Sequence, residues 1–251
     1  MENNFEYKCL NCNKELTNIQ ILKKNQFCSK GCATSYRQKA HDPNIFEIQD
    51  MDILYYLLGL IFTDGNLDVE ETRITLSLTQ KDVIDYLYFY FCDIHKRKVY
   101  EYQPHNCKNA NKTYTIINTN PETISILKSM SLTPNNSATK KFPEIPKEYM
   151  PAFLRGVFDG DGCIFISNTY KGKRYKKVCI TCASEIFTNK LVQTLSLFDL
   201  HPTVVIDSRR KNNVIKTYYV YLNRQEEIKQ FYNIIYSNAN LFIEYKRQRF
   251  E

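Results

Sequence analysis

Residues 56–67 read YLLGLIFTDGNL, and two choices in them look locally wrong. The run is apolar like a buried helix, yet Gly59 sits in its middle and Asp64 in its last turn. A glycine inside a helix costs about 1 kcal/mol relative to alanine. A carboxylate at a helix C-terminus faces the negative end of the helix dipole, which is unfavourable by up to about 1 kcal/mol. A chain that keeps both has another use for them.

The same oddity recurs in residues 152–165, AFLRGVFDGDGCIF. Leu57 superimposes on Leu154, Gly59 on Gly156, Asp64 on Asp161 and Gly65 on Gly162. The two acids lie 97 residues apart, and 90 residues follow the second. The body of the chain is therefore expected to be two copies of a unit of about that length.

Each copy shows the same coarse pattern. In the first, RITLSLT alternates, with Ile74, Leu76 and Leu78 on one side and Arg73, Thr75, Ser77 and Thr79 on the other. A helix follows over KDVIDYLYFYFCDIHK, then strand-like KVYEYQ and KTYTIIN, then a helix from Pro121 to about Leu132. In the second, the strands are CIFISN, KKVCITCA, TVVIDS and KTYYVYLN, with helices from Ser184 to about Leu200 and from Gln225 onward. The lone C-x-x-C of Cys179 and Cys182 reads as small strand residues. The expected unit is αββαββα, with one apolar sheet face under helices and one polar face left open.

Small residues at matching positions let two helices pack backbone to backbone. The two glycine-bearing helices would then join the copies, and Asp64 and Asp161 would emerge side by side between the open sheet faces. Two adjacent carboxylates repel unless a cation lies between them, and oxygen ligands of this kind suit Mg²⁺. Paired, metal-bound carboxylates can activate water for phosphodiester hydrolysis.

LLGLIFTDG (Leu57 to Gly65) and LRGVFDGDG (Leu154 to Gly162) resemble the two motif copies of the LAGLIDADG homing endonucleases. The first copy departs at its sixth position, where Phe62 replaces an acid. The resemblance runs from about residue 50 to the end. It implies an α+β fold of two pseudo-symmetric αββαββα halves forming a DNA-binding saddle, in the monomeric form of the family. It implies a divalent-metal-dependent endodeoxyribonuclease that cuts a long asymmetric double-stranded target and leaves short 3′ overhangs. Asp64 and Asp161 would bind two or more Mg²⁺ ions, with backbone help from Thr63 and Gly160. EYKRQRF is similar to the segment carrying an assisting lysine, which points to Lys246. In the first half the corresponding position is Asn136, and Lys140, next to Lys141, is the nearest substitute.

Composition agrees with this reading without compelling it. Of 251 residues, 43% are hydrophobic and 24% charged, as in a soluble globular protein. The net charge of +7 favours a polyanionic partner. No apolar run is long enough to span a membrane, and the start, MENNFEYKCL, is polar. The protein is therefore expected to stay cytoplasmic, nucleoid-associated if bacterial or phage-encoded.

Nine cysteines in such a chain suggest metal rather than disulfides. Cys9 and Cys12, then fifteen residues, then Cys28 and Cys32 give the spacing of a closed four-thiolate zinc site. One structural Zn²⁺ would supply much of the folding energy of so short a segment. Ser29 is placed to cap a helix through GCATSYRQKA. Lys8, Lys14, Lys23, Lys24, Lys30, Arg37 and Lys39 surround the module. The expected layout is a zinc-binding module at 1–40, a linker at 41–50, and halves at 51–146 and 147–251.

DNA-contact candidates come from the open faces and the basic loops. They are Arg73 and Thr75 in the first half. In the second they are Lys171, Lys173, Arg174, Lys176, Lys177, Arg209, Arg210, Lys211 and Lys216. The competing reading is a DNA-binding regulator, or an RNA maturase that takes intron RNA, on the same scaffold. Relatives of that kind commonly lose the acids, whereas both are kept here. The chain begins with Met1 and its end lacks a terminal His-Asn, so an intron-encoded or free-standing protein is expected rather than an intein.

Overall fold

A computed structural model describes residues 7–12, 14–38, 41–103, 111–135, 137–168, 172, 174–207 and 216–251. The N-terminal module holds two short helices, α1 (Asn18–Leu22) and α2 (Lys30–Gln38). Thr17 begins α1 with a capping box shared with Gln20. Ser29 accepts the Cys32 N–H at the start of α2, as its position in the sequence suggested.

The first half runs α3 (Met51–Asp64), β1 (Gly65–Leu67), β2 (Ile74–Leu78), α4 (Lys81–Phe91), β3 (Tyr100–Tyr102), β4 (Thr113–Asn118) and α5 (Pro121–Ser129). The second runs α6 (Met150–Asp161), β5 (Gly162–Asn168), β6 (Arg174–Cys182), α7 (Glu185–Ser196), β7 (Thr203–Ile206), β8 (Tyr218–Leu222), α8 (Gln225–Tyr236) and α9 (Glu244–Gln248). The halves form antiparallel sheets in matching orders, β1-β2-β4-β3 and β5-β6-β8-β7. The expected αββαββα repeat is therefore present, with α9 added to the second copy. Strand β1 escaped the sequence reading, because three residues, GNL, carry too short a pattern.

The alternation read from the sequence holds. Ile74, Leu76 and Leu78 of β2 are buried against the helices, while Thr75 and Ser77 face the other way. Strand β8 does the same with Tyr218, Val220 and Leu222 inside and Tyr219 and Tyr221 outside. Burying a Leu or Ile side chain contributes roughly 1.5–3 kcal/mol, so one dominant face fixes the register.

The stretch 41–50, expected as a linker, is built into the first half. Ile45 and Ile48 join the core, around a 3-10 turn at Ile45–Glu47. Asp42 is buried and accepts from the Arg97 guanidinium, the Asp93 and Thr119 N–H groups and the Thr119 hydroxyl. Its carboxyl lies below the usual carboxylate range: burial would raise it, but these donors outweigh burial.

Candidate active site

Helices α3 and α6 cross at the two glycines. A Cβ on Gly59 would lie 2.3 Å from the Phe153 carbonyl oxygen and 2.7 Å from Gly156 Cα. A Cβ on Gly156 would lie 2.2 Å from the Tyr56 carbonyl oxygen. No side chain fits between backbones so close, which accounts for both mid-helix glycines. The acid-glycine pairs have their own reason. After each acid the chain turns so tightly that a Cβ on Gly65 would lie 2.4 Å from the Ile61 carbonyl oxygen, and one on Gly162 2.5 Å from that of Phe158.

Both helices end on their acids, Asp64 and Asp161. Burial pushes the Asp64 carboxyl up to about 6, and the Asp161 charge adds to the effect. Asp161 opens to solvent on one side and is hemmed in by protein on the others, which raises its carboxyl as well. Lys140 and Lys246 partly offset both shifts.

The lysines also answer the dipole problem. Lys246 is buried, and its Nζ donates to the carbonyls of Phe158 (3.2 Å), Asp159 (2.5 Å) and Gly160 (2.8 Å) at the end of α6. Lys140 Nζ donates to the Phe62 carbonyl at the end of α3 (2.5 Å). A cation thus sits on the negative end of each helix. Burial lowers both ammonium groups from the usual lysine range, and the acids counter it. Asn136 lies outside the described residues. A cavity of about 300 Å³ beside Lys140 is lined by Phe62, Thr63, Ser137, Asp161, Thr181 and Ser184 among others.

Thr63 and Gly160 meet at the centre: a Cβ on Gly160 would lie 2.0 Å from Thr63 Oγ1 and 2.9 Å from Asp64 Oδ2. The Thr63 hydroxyl folds back onto the Gly59 and Leu60 carbonyls of its own helix. The Gly160 carbonyl already serves Lys246, which leaves it one lone pair.

The sixth motif position is where the halves part. Asp159 is buried and accepts from Tyr56 Oη (2.9 Å), Tyr236 Oη (2.5 Å) and the Ile243 N–H (2.7 Å). Burial raises its carboxyl, and the three donors oppose the rise. Its counterpart Phe62 packs edge-on against Phe153, the counterpart of Tyr56. A polar pair across the helix interface is matched by an apolar pair at the symmetric place. The Phe62 departure is visible in the motif itself, but the matching exchange of Tyr56 for Phe153 shows only in the packed helices.

The open faces differ too. The first carries hydroxyls: Thr75 and Ser77 on β2 lie opposite Ile117 and Thr115 on β4, and Tyr100 and Tyr102 stand on β3. The second carries aromatics: Phe165 meets Tyr221, and Tyr219 stacks on Tyr221. Lys177 lies on this face over the Tyr175 ring. Arg73 and Lys216 are exposed at strand ends. Lys176 corrects the expectation from sequence. It alternates onto the helix side of β6, and its Nζ bonds the Phe250 carbonyl at 2.7 Å. Arg174 shares that side, and both line a cavity of about 550 Å³ with Ile228, Tyr232 and Phe250. Lys171, Lys173, Arg209, Arg210 and Lys211 lie outside the described residues.

Residues 148–236 match the family model of the LAGLIDADG-like domain. The homing endonuclease I-WcaI bound to its DNA recognition sequence is similar in fold, with a TM-score of 0.55 and 14% identity over 89% of this chain and 93% of that one. The LAGLIDADG homing endonuclease I-GzeII in complex with its DNA target gives 0.51 and 9%, over 78% and 86%. Full-length DUF199/WhiA from Thermatoga maritima gives 0.47 and 16%, over 77% of this chain; the chain spans 59% of that protein's length. No curated protein sequence matches the chain. The two αββαββα halves are thus a LAGLIDADG fold, preceded by a cysteine module.

In that module the ligand atoms of Cys9, Cys12, Cys28 and Cys32 all lie within 4.8 Å of one another. The sulfur separations are 3.6 Å for Cys12–Cys28, 3.5 Å for Cys28–Cys32 and 3.8 Å for Cys32–Cys12. A tetrahedron with Zn–S bonds of about 2.3 Å has edges of about 3.8 Å, so the four thiols fit zinc. Burial would raise the Cys9 thiol, but the N–H groups of Cys28, Asn11 and Cys12 outweigh it and hold it at about 6. Among the described residues, no helix is long and apolar enough to cross a membrane.

Proposed function

We propose that this protein is a site-specific, divalent-metal-dependent DNA endonuclease that cuts both strands of a duplex. The observation that carries the reading is the meeting of Asp64 and Asp161 at the ends of two packed helices, each helix end held by a lysine. Mg²⁺ bound by these acids would polarise the scissile phosphates and lower the pKa of attacking water. The carboxylates supply the oxygen ligands, and the Thr63 and Gly160 backbones lie beside them. Lys140 and Lys246 place positive charge next to the acids, where a phosphate must come to be cut.

The open faces receive the duplex. Thr75, Ser77 and Thr115 offer hydroxyls to base edges on one side; on the other, Tyr219 and Tyr221 offer hydroxyls, Lys177 an ammonium and Phe165 an apolar ring. Because the two faces differ, the target is asymmetric. One chain supplies both halves, so the enzyme acts as a monomer; the short 3′ overhangs rest on the likeness to the LAGLIDADG homing endonucleases alone. The cysteine module binds one structural Zn²⁺ and adds affinity at one end of the target. The gene is intron-encoded or free-standing, and the protein works in the compartment that holds the DNA.

The test is incubation of purified protein with a randomised double-stranded library, in Mg²⁺ and in Ca²⁺. Discrete double-strand breaks that need Mg²⁺ support the endonuclease. Selective binding in both ions without breaks transfers the scaffold to a regulator or an intron-RNA maturase.

A further inference from the structure

The two lysines reach equivalent carbonyls by different supports. Lys246 sits on α9, a five-residue helix too short to hold itself in place. Ile243 begins that helix, and its N–H is bonded by the Asp159 carboxylate at 2.7 Å. The same carboxylate is fixed by Tyr56 from α3 and Tyr236 from α8. One buried group therefore joins both motif helices, α8 and the lysine helix. Lys140 has no such helix and no such acid, since Phe62 stands where Asp159 would. Its own carbonyl instead accepts the hydroxyl of Ser184 at 2.6 Å. Ser184 is buried and caps α7, so the second half holds the first half's lysine.

We infer that Asp159 and Ser184 are positioning residues, each setting one lysine, so that the two strands of the target depend on different supports. The inference rests on the endonuclease reading for its consequence but not for its geometry. The Asp159 contacts are made in the interior, away from any phosphate, and the Ser184 contact is to backbone. Neither residue needs to touch DNA to act.

The test reads both levels. Lysine side chains are isotopically labelled, and the Lys140 and Lys246 signals are assigned with Lys140→Arg and Lys246→Arg. Asp159→Asn is expected to move the Lys246 signal and leave Lys140 in place, and Ser184→Ala the reverse, with Ser184→Thr restoring the wild-type Lys140 signal. On a recovered target labelled strand by strand, each variant is expected to slow one strand by about tenfold to a hundredfold, and not the same strand. If both signals move in either variant, or neither moves in both, the inference is overturned. Should Asp159→Asn fail to fold, the Ser184 pair decides on its own. A wild-type protein that cuts nothing but shows the crossed shifts removes the endonuclease reading and keeps the positioning.

Discussion

Lys140 and Lys246 donate to the carbonyls of Phe62 and Asp159, each at 2.5 Å, and these two acceptors occupy the same position in matched helices. The lysines come from unlike surroundings, a turn region and a short helix, yet meet the two acids alike. Removing either should therefore slow cutting and spare binding. Lys246→Met and Lys140→Met are each expected to reduce the cleavage rate by about a hundredfold while changing the dissociation constant in Ca²⁺ by less than about threefold. Single-turnover cleavage and a binding titration read the two quantities separately.

The glycine crossing makes a stability prediction. Alanine at Gly59 or Gly156 adds about 1 kcal/mol of helix propensity but drives a methyl into backbone at 2.2–2.3 Å. Overpacking dominates, and a net loss of about 2–4 kcal/mol is expected for each in urea unfolding. A gain in stability from either variant would show that the helices do not approach as described.

Asp64 gives a pH signature. Its carboxyl lies near 6 in the folded protein against an ordinary 3.8, so folding favours the protonated form. That contribution is full below about pH 4 and is lost as the pH rises through about 6. In the metal-free protein Asp64→Asn should remove this loss and raise stability at pH 7 by about 1–2 kcal/mol, after allowance for solvent screening. Divalent ions should raise the melting temperature of the wild type more at pH 7.5 than at pH 5. Equal shifts at both pH values would mean that the ions stabilise the fold somewhere other than Asp64.

The cysteine module predicts one zinc per chain by metal analysis. Cys9→Ser with Cys12→Ser should lose it and weaken affinity at one end of the target without moving the cut. The remaining fold should stay intact, because Ile45, Ile48 and the Asp42 cluster tie the chain to the first half beyond residue 40. A wild-type protein without zinc removes this prediction at its source.

Much of this was legible in the sequence, because a repeat in register constrains more than any single motif. Gly59 with Gly156 and Asp64 with Asp161 announced the paired helices, and alternation in β2 announced the open face. What was not legible depends on three dimensions. Lys176 reads like its neighbour Lys177, but strand alternation sends it under the sheet to Phe250. Asp159 lies far from Tyr236 and Ile243 in the chain and meets them only after α8 and α9 pack. The linking of Tyr56–Asp159 with Phe153–Phe62 shows only once the crossing is known. Strand β1 was too short for its alternation to register.

The proposed function stands or falls on one metal-dependent cutting centre formed by Asp64 and Asp161. It is tested most directly by Asp64→Asn and Asp161→Asn on a target recovered from the wild type, with cleavage and binding followed side by side in Mg²⁺. Each variant is expected to bind the target within about threefold of wild type and to make no double-strand break, a loss of about 10³ or more in rate. Undiminished double-strand cutting by either variant would contradict it.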